Sequence, residues 1–121
     1  MRTLTIRIEP DTLAALDRAG QQFVETWQTG EYAGEYLSFE SPAALFRLLT
    51  PARWSVLETL QKAGHCGLRE LARLLGRDAS AVHRDVVALT ERGLIEKDEA
   101  GKLFVPFARI HAEIDLMSQA A

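Results

Sequence analysis

The chain is short of several things, and each shortage removes a class of explanation. Cysteine occurs once, at Cys66, which excludes an intramolecular disulfide framework and makes a reducing cytoplasm the expected compartment. With one thiol and three scattered histidines, the paired ligand spacings of a structural zinc site are missing. Neither a metal nor a cofactor is therefore expected. No apolar run approaches the ~18 residues of a membrane span, so no membrane partner is expected. The opening MRTLTIRIEP has neither the continuous apolar stretch nor the cleavage site of a signal peptide. Nucleophile elbow, phosphate-binding glycine loop and metal-binding helix motif are all missing. The expectation is a protein with no catalytic residues, not an enzyme.

An excess of positive charge is lacking too. The net charge of −3 argues against an indiscriminate nucleic-acid coat. Its distribution is uneven. Residues 1–50 carry four Lys/Arg against seven Asp/Glu, residues 51–108 nine against eight, and residues 109–121 one against two. Only the middle segment is not acidic. What the chain does have is 47% hydrophobic residues in 121, enough for one domain, or one small domain with an extension, around a real core.

The informative stretch is 68–105, LRELARLLGRDASAVHRDVVALTERGLIEKDEAGKLFV. Leu68, Leu71, Ala72 and Leu75 recur at i, i+3, i+4 and i+7, one apolar stripe on a short helix. Gly76 supplies a stop, and Asp78 can cap the next helix by accepting an orphaned backbone N–H. That second helix, expected over 78–92, buries Val82, Val86 and Leu89 and ends at Gly93. Ser80, Arg84 and Val87 then point away from the stripe, flanked by Ala81 and His83. Small residues, a hydroxyl, an imidazole and a guanidinium on the outer first turns suit entry into a major groove. GLIEKD and KLFV are β-prone runs joined by Glu99-Ala100-Gly101, with glycine where a hairpin turn wants it. Helix, turn, helix and hairpin in this order predict the winged form of the helix-turn-helix.

At this point the chain resembles a known family. GLRELARLLGRDASAVHRDVVALTERGLIE, preceded by LTPARWSVLETL and followed by VPFARIHAEIDL, looks like the winged-helix transcriptional regulators found across bacteria and archaea. Some of those are described as antitoxin-type regulators encoded beside a small toxin. More distantly the stretch is similar to MarR-type and ArsR-type DNA-binding domains. The resemblance covers residues 39–116. Carried over residue by residue, it implies DNA contacts from Arg77, Ser80, His83 and Arg84, with Ala81 beside them and backbone help from the wing around Lys102. The wing tip departs from the pattern, because Asp98 and Glu99 make it acidic.

The flanks are legible in outline. Leu4, Ile6 and Ile8 alternate with Thr3, Thr5 and Arg7, the period of a half-buried strand. After Pro10, Leu13, Leu16, Gly20, Phe23 and Trp27 follow at helical seam spacing. This helix either packs on its own domain or joins the strand in a dimer or partner interface. QTGEYAGE reads as a loop, which sets aside a ribbon-helix-helix fold, and YLSFE as a strand with Leu37 and Phe39 on one face. Ser41-Pro42 and Thr50-Pro51 each pair a capping side chain with proline at the first helical position. On the second of these helices Trp54, Leu57 and Leu60 form the expected apolar stripe, and Arg53, near its N-terminal end, reads as a solvated charge or as a cation that reaches a phosphate. Cys66 reads as a small buried residue in a short extended segment. Asp85 either orients Arg84 or repels phosphate. Ile110, Ala112, Ile114 and Leu116 alternate with polar neighbours, predicting a strand with one buried face. It either joins the N-terminal strands or pairs across a two-fold axis.

The expectation is thus an α+β protein: an N-terminal strand-helix-strand extension over 1–40, a winged helix-turn-helix over 41–108, and a C-terminal strand and tail over 109–121. Its expected role is sequence-specific binding of double-stranded DNA as a homodimeric, cytoplasmic transcriptional repressor. The alternative is an antitoxin-like module that binds a small toxin-like protein, with DNA binding serving autoregulation or lost.

Overall fold

The computed structural model describes residues 2–10, 34–116 and 118, and it divides into two units. One joins the two ends of the chain, Met1–Leu45 with Arg109–Ala121; the other is the continuous segment Phe46–Ala108. Helices and strands are both present, so the molecule is mixed α and β.

In the first unit β1 (Thr3–Ile8) is the central strand. Its alternation works as the sequence implies, with Leu4 and Ile6 buried between half-exposed threonines. β2 (Glu35–Phe39) and β5 (Arg109–Glu113) flank it, both parallel to it, in the order β2-β1-β5. Ile6 stands level with Leu37 and Ala112, Leu4 with Ile110, and Ile8 with Phe39, so these residues share one face. On the other face the Arg7 guanidinium lies 3.8 Å from the centre of the Tyr36 ring, a cation–π contact. Arg2 clamps Glu35 with two charge-assisted hydrogen bonds of 3.0 and 2.7 Å.

The C-terminal strand therefore adds to β1 within the same chain. Its expected buried face is corrected: Ile110 is half-buried, while Ala112, Ile114 and Leu116 are exposed. The cause is positional. β5 has β1 as its neighbour on one side, and the ladder ends at Arg7 and Glu113, short of Ile114. The expected helix carrying Leu13, Leu16, Gly20, Phe23 and Trp27 lies outside the described residues.

Helix α1 (Pro42–Leu48) runs from one unit into the other. Ser41 caps it, accepting the Ala44 N–H at 3.1 Å. In the second unit α2 (Pro51–Ala63) opens the same way, Thr50 accepting the Arg53 N–H at 3.2 Å ahead of the proline. Its buried residues are Val56, Leu57 and Leu60. Trp54 is 38% exposed, which corrects its place in the core. At 100° per residue the three buried side chains centre roughly 110° away from Trp54, so Val56 takes the inward position.

α3 (Leu68–Leu75) buries Leu71 and Ala72, then stops at Gly76, whose φ of 65° and ψ of 33° are left-handed. The Arg77 N–H reaches back to the Ala72 carbonyl at 3.0 Å, closing the helix end in a Schellman pattern. α4 (Ala79–Glu91) follows, with Asp78 accepting the N–H groups of Ser80 and Ala81. Helices α2, α3 and α4 pack on one another, with Leu71, Val82, Val86 and Leu89 buried alongside Leu94, Ile95, Leu103 and Phe107. A hairpin of β3 (Glu96–Lys97) and β4 (Leu103–Phe104) completes the unit. Its turn is the expected one: Gly101 takes φ 81°, and Asp98 N–H donates to the Lys102 carbonyl at 2.8 Å. Cys66 forms an isolated antiparallel bridge with Leu103 beside the hairpin.

Candidate nucleic-acid interface

The site is built from the outer turns of α4. Val82, Val86 and Leu89 hold one side of this helix in the core, which leaves Ser80, His83, Arg84 and Val87 exposed. Asp78 already takes the Ser80 and Ala81 amides at 3.1 and 3.4 Å, so these N–H groups are satisfied by the cap. What is offered to a ligand is side chain. Ser80, His83 and Arg84 line an open groove together with Ala79, Leu68 and Arg69.

Sequence reasoning missed Arg69. It stands on the exposed side of α3, next to the half-buried Leu68, and faces the same groove as Arg84. A signal was available. The stripe Leu68, Leu71, Ala72, Leu75 leaves Arg69 on the outside of the first helix. Among the described residues no carboxylate pairs with Arg69 or Arg84. Two guanidinium groups thus face one open groove, each able to make bidentate contact with a guanine edge or a phosphate.

The other residues singled out from sequence are placed differently. Ala81 is half-buried beside the groove. Arg77 is tied inward, its Nη2 2.9 Å from Asp85 Oδ2, a charge contact that lacks hydrogen-bond geometry. Asp85 neither orients Arg84 nor faces the groove; it bridges two arginines, accepting from Arg53 Nε at 3.0 Å through Oδ1. Arg53 also donates through Nη1 to the Leu48 carbonyl at 3.0 Å, satisfying the end of α1. Arg53 is therefore a structural cation, which corrects its reading as a solvated charge. The Arg53–Asp85–Arg77 network joins the start of α2, the α3–α4 turn and the middle of α4.

Lys102 is exposed on the hairpin and does not line the groove. The acidic wing tip has a structural explanation for one of its two carboxylates. Asp98 accepts the Lys102 N–H at 2.9 Å and meets His65 Nδ1 at 2.7 Å. The His65 ring stacks on Phe104, centroids 4.4 Å apart and planes 9° apart. These contacts, His65 first and the Lys102 amide second, hold the Asp98 carboxyl below the usual carboxylate range. Asp98 closes the hairpin and pins it to the segment before α3. Glu99 alone of the pair is exposed at the turn.

Cys66 is buried, and burial pushes its thiol pKa up; Glu70 adds to the rise and Lys102 opposes it. That environment suits an inert core thiol. Among the described residues no group of three His, Cys, Asp or Glu side chains is arranged to hold a metal ion, and no helix is long and apolar enough to cross a membrane.

A comparison with curated proteins gives no match. A family model does match, over residues 48–112, which takes in α2, α3, α4, the hairpin and most of β5. With more than half of its residues so matched, the chain belongs to the HVO_A0114 family.

Proposed function

We propose that this protein is a winged helix-turn-helix regulator that binds double-stranded DNA as a homodimer and represses transcription by covering a promoter. In this reading α4 enters the major groove, Arg84 reads a base edge, and Arg69 and His83 engage backbone or base from the groove floor. One observation carries it: Arg69 of α3 and Arg84 of α4, with no carboxylate partner among the described residues, line one groove with Ser80 and His83. The order of two helices and a hairpin, with Cys66 bridged to that hairpin, supports the winged form. So does the resemblance of residues 39–116 to winged-helix regulators. A single copy offers few cations, and two copies on adjacent half-sites double the phosphate contacts that dominate affinity. A lone buried thiol suits a cytoplasmic setting.

The test is a salt titration of binding to DNA from the protein's own promoter, beside an unrelated duplex of equal length. Preference for the promoter with a steep salt slope is the expected result. Arg84→Ala loses roughly 1–3 kcal/mol of promoter affinity if the side chain reads a base. Equal, weak binding to both duplexes refutes the reading. A second reading, an antitoxin-like module for a small basic protein, is favoured by the acidic balance of residues 1–50 and by the exposed Ile114 and Leu116. Co-purification of such a partner with the chain, without promoter preference, would select it.

A further inference from the structure

We infer that β5 is the seam along which two copies of this chain join, antiparallel, about a two-fold axis at Ala112. The inference builds on the homodimer in the proposed function and is independent of DNA binding.

Backbone direction comes first. The Arg109 N–H points to β1, donating to the Arg2 carbonyl at 3.4 Å. Successive residues of a strand turn their amides to opposite sides. Hence His111 and Glu113 also face β1, whereas Ile110 and Ala112 present N–H and C=O outward. No other described strand takes them. Sheet edges are ordinarily protected by proline, a bulge, short length or charged side chains. β5, with the sequence RIHAE, has no proline, and its charges are of opposite sign, Arg109 at one end and Glu113 at the other.

Side chains then choose the partner. When β5 is set antiparallel to itself with Ala112 at the axis, His111 stands opposite Glu113 of the second copy and Arg109 opposite Asp115 of the second copy. Arg109 thus meets a carboxylate and His111 a hydrogen-bond acceptor, twice over because of the symmetry. In the same register Ile114, exposed at 42%, stands opposite Ile110. The outward amides fall in place as well: Ile110 with Ile114, and Ala112 with itself, are the pairs that exchange hydrogen bonds. The small side chain sits where the two strands cross the axis. The existing approach of His111 Nε2 to Glu113 Oε1, 3.5 Å within one strand, leaves this imidazole beside carboxylates on both sides of the seam. A sequence that pairs with its own reverse in charge, apolar contact and hydrogen-bond phase fits a second copy better than an unrelated strand.

The experiment is sedimentation and oxidative cross-linking of the full chain without DNA, in a Cys66→Ala background. The expected result is a dimer at about 100 μM or below. Ala112→Cys should then form a disulfide-linked dimer, because hydrogen-bonded pairs place Cα atoms about 5.5 Å apart, within disulfide reach. His111→Cys should not cross-link to itself. Arg109→Asp should weaken self-association at least about tenfold, and adding Asp115→Arg should restore it. Circular dichroism checks that each variant folds, and the restored double variant keeps the test decisive if one single variant does not. A monomer at all concentrations, a dimer that Ala112→Cys fails to trap, self-linkage at His111→Cys, or no rescue by the charge exchange overturns the seam. A trapped dimer without promoter preference leaves the seam standing and removes the DNA reading. Promoter binding by a monomer does the reverse.

Discussion

Replacing Asp85 by alanine should loosen the second unit more than any single surface change, and the size of the effect follows from what the carboxylate holds. Its side chain is 14% exposed, and it meets Arg53 (23% exposed) at 3.0 Å and Arg77 (30% exposed) at 2.9 Å. Breaking a fully buried ion pair costs about 3–5 kcal/mol, and an exposed one contributes about 0.2–1. Asp85 lies between these limits. The Arg53 contact has hydrogen-bond geometry and is the stronger; the Arg77 contact is a charge approach only. Together they give an expected loss of about 2–3 kcal/mol, a large share of the stability of a small domain. In urea unfolding this is a midpoint shift of about 1–2 M at unchanged slope. A cycle apportions it. Once Asp85 is gone, Arg77→Ala should add little, because the side chain has lost its anion. The loss should also survive ~1 M salt, since a partly buried pair is weakly screened. A loss below about 0.5 kcal/mol, or strict additivity of Asp85→Ala and Arg77→Ala, would show that the network does not brace α4.

Three further outcomes can be checked. The Asp98 carboxyl is held below its ordinary value, so its stabilisation of the hairpin is present at neutral pH and is lost as pH falls below ~4. Protection of the Lys102 amide against hydrogen exchange, taken relative to the intrinsic rate at each pH, should fall in acid in the natural chain and should change little with pH in Asp98→Asn. Cys66 should resist a thiol reagent in the folded protein and react at once in denaturant; fast labelling of the native chain would contradict its burial. At Gly76, where φ is 65° and no atom lies near a built Cβ, alanine should cost about 1 kcal/mol through backbone strain alone, read as a lowered melting temperature. No change at Gly76→Ala would mean that the α3–α4 turn relaxes freely.

The elements that could be read from sequence are those whose cause is local. Asp78 beside Ser80 and Ala81, Gly76 after Leu75, and Thr50 before Pro51 each fix a helix end within a few residues, and all three ends stand where those residues put them. Glu99-Ala100-Gly101 fixed the hairpin in the same way. The groove residues Ser80, His83 and Arg84 followed from helix periodicity once Val82, Val86 and Leu89 marked the inner face. Distant pairing was illegible. Nothing near Asp85 in sequence announces Arg53 on another helix, so local reasoning leaves it either orienting Arg84 or repelling phosphate. The alternation of 110–116 is real as a pattern, but Ile110 is only half-buried and Ala112, level with the buried Ile6, is exposed, because β5 has a strand on one side alone. Trp54 shares a three-residue spacing with Leu57 and Leu60, but Val56 lies nearer the centre of the buried face, and Trp54 is exposed.

The sheet β2-β1-β5 also dictates an order of events. Thr3 pairs with Arg109 across nearly the whole chain, whereas α2, α3, α4 and the hairpin draw their partners from one uninterrupted segment. Closing a long loop costs more entropy than closing a short one, and contacts distant in sequence slow folding. The Phe46–Ala108 unit can therefore form while β5 is still unattached to β1. Until it attaches, the outer edge of β1 is open to β5 of another molecule. The same strand exchange that completes one chain can link two.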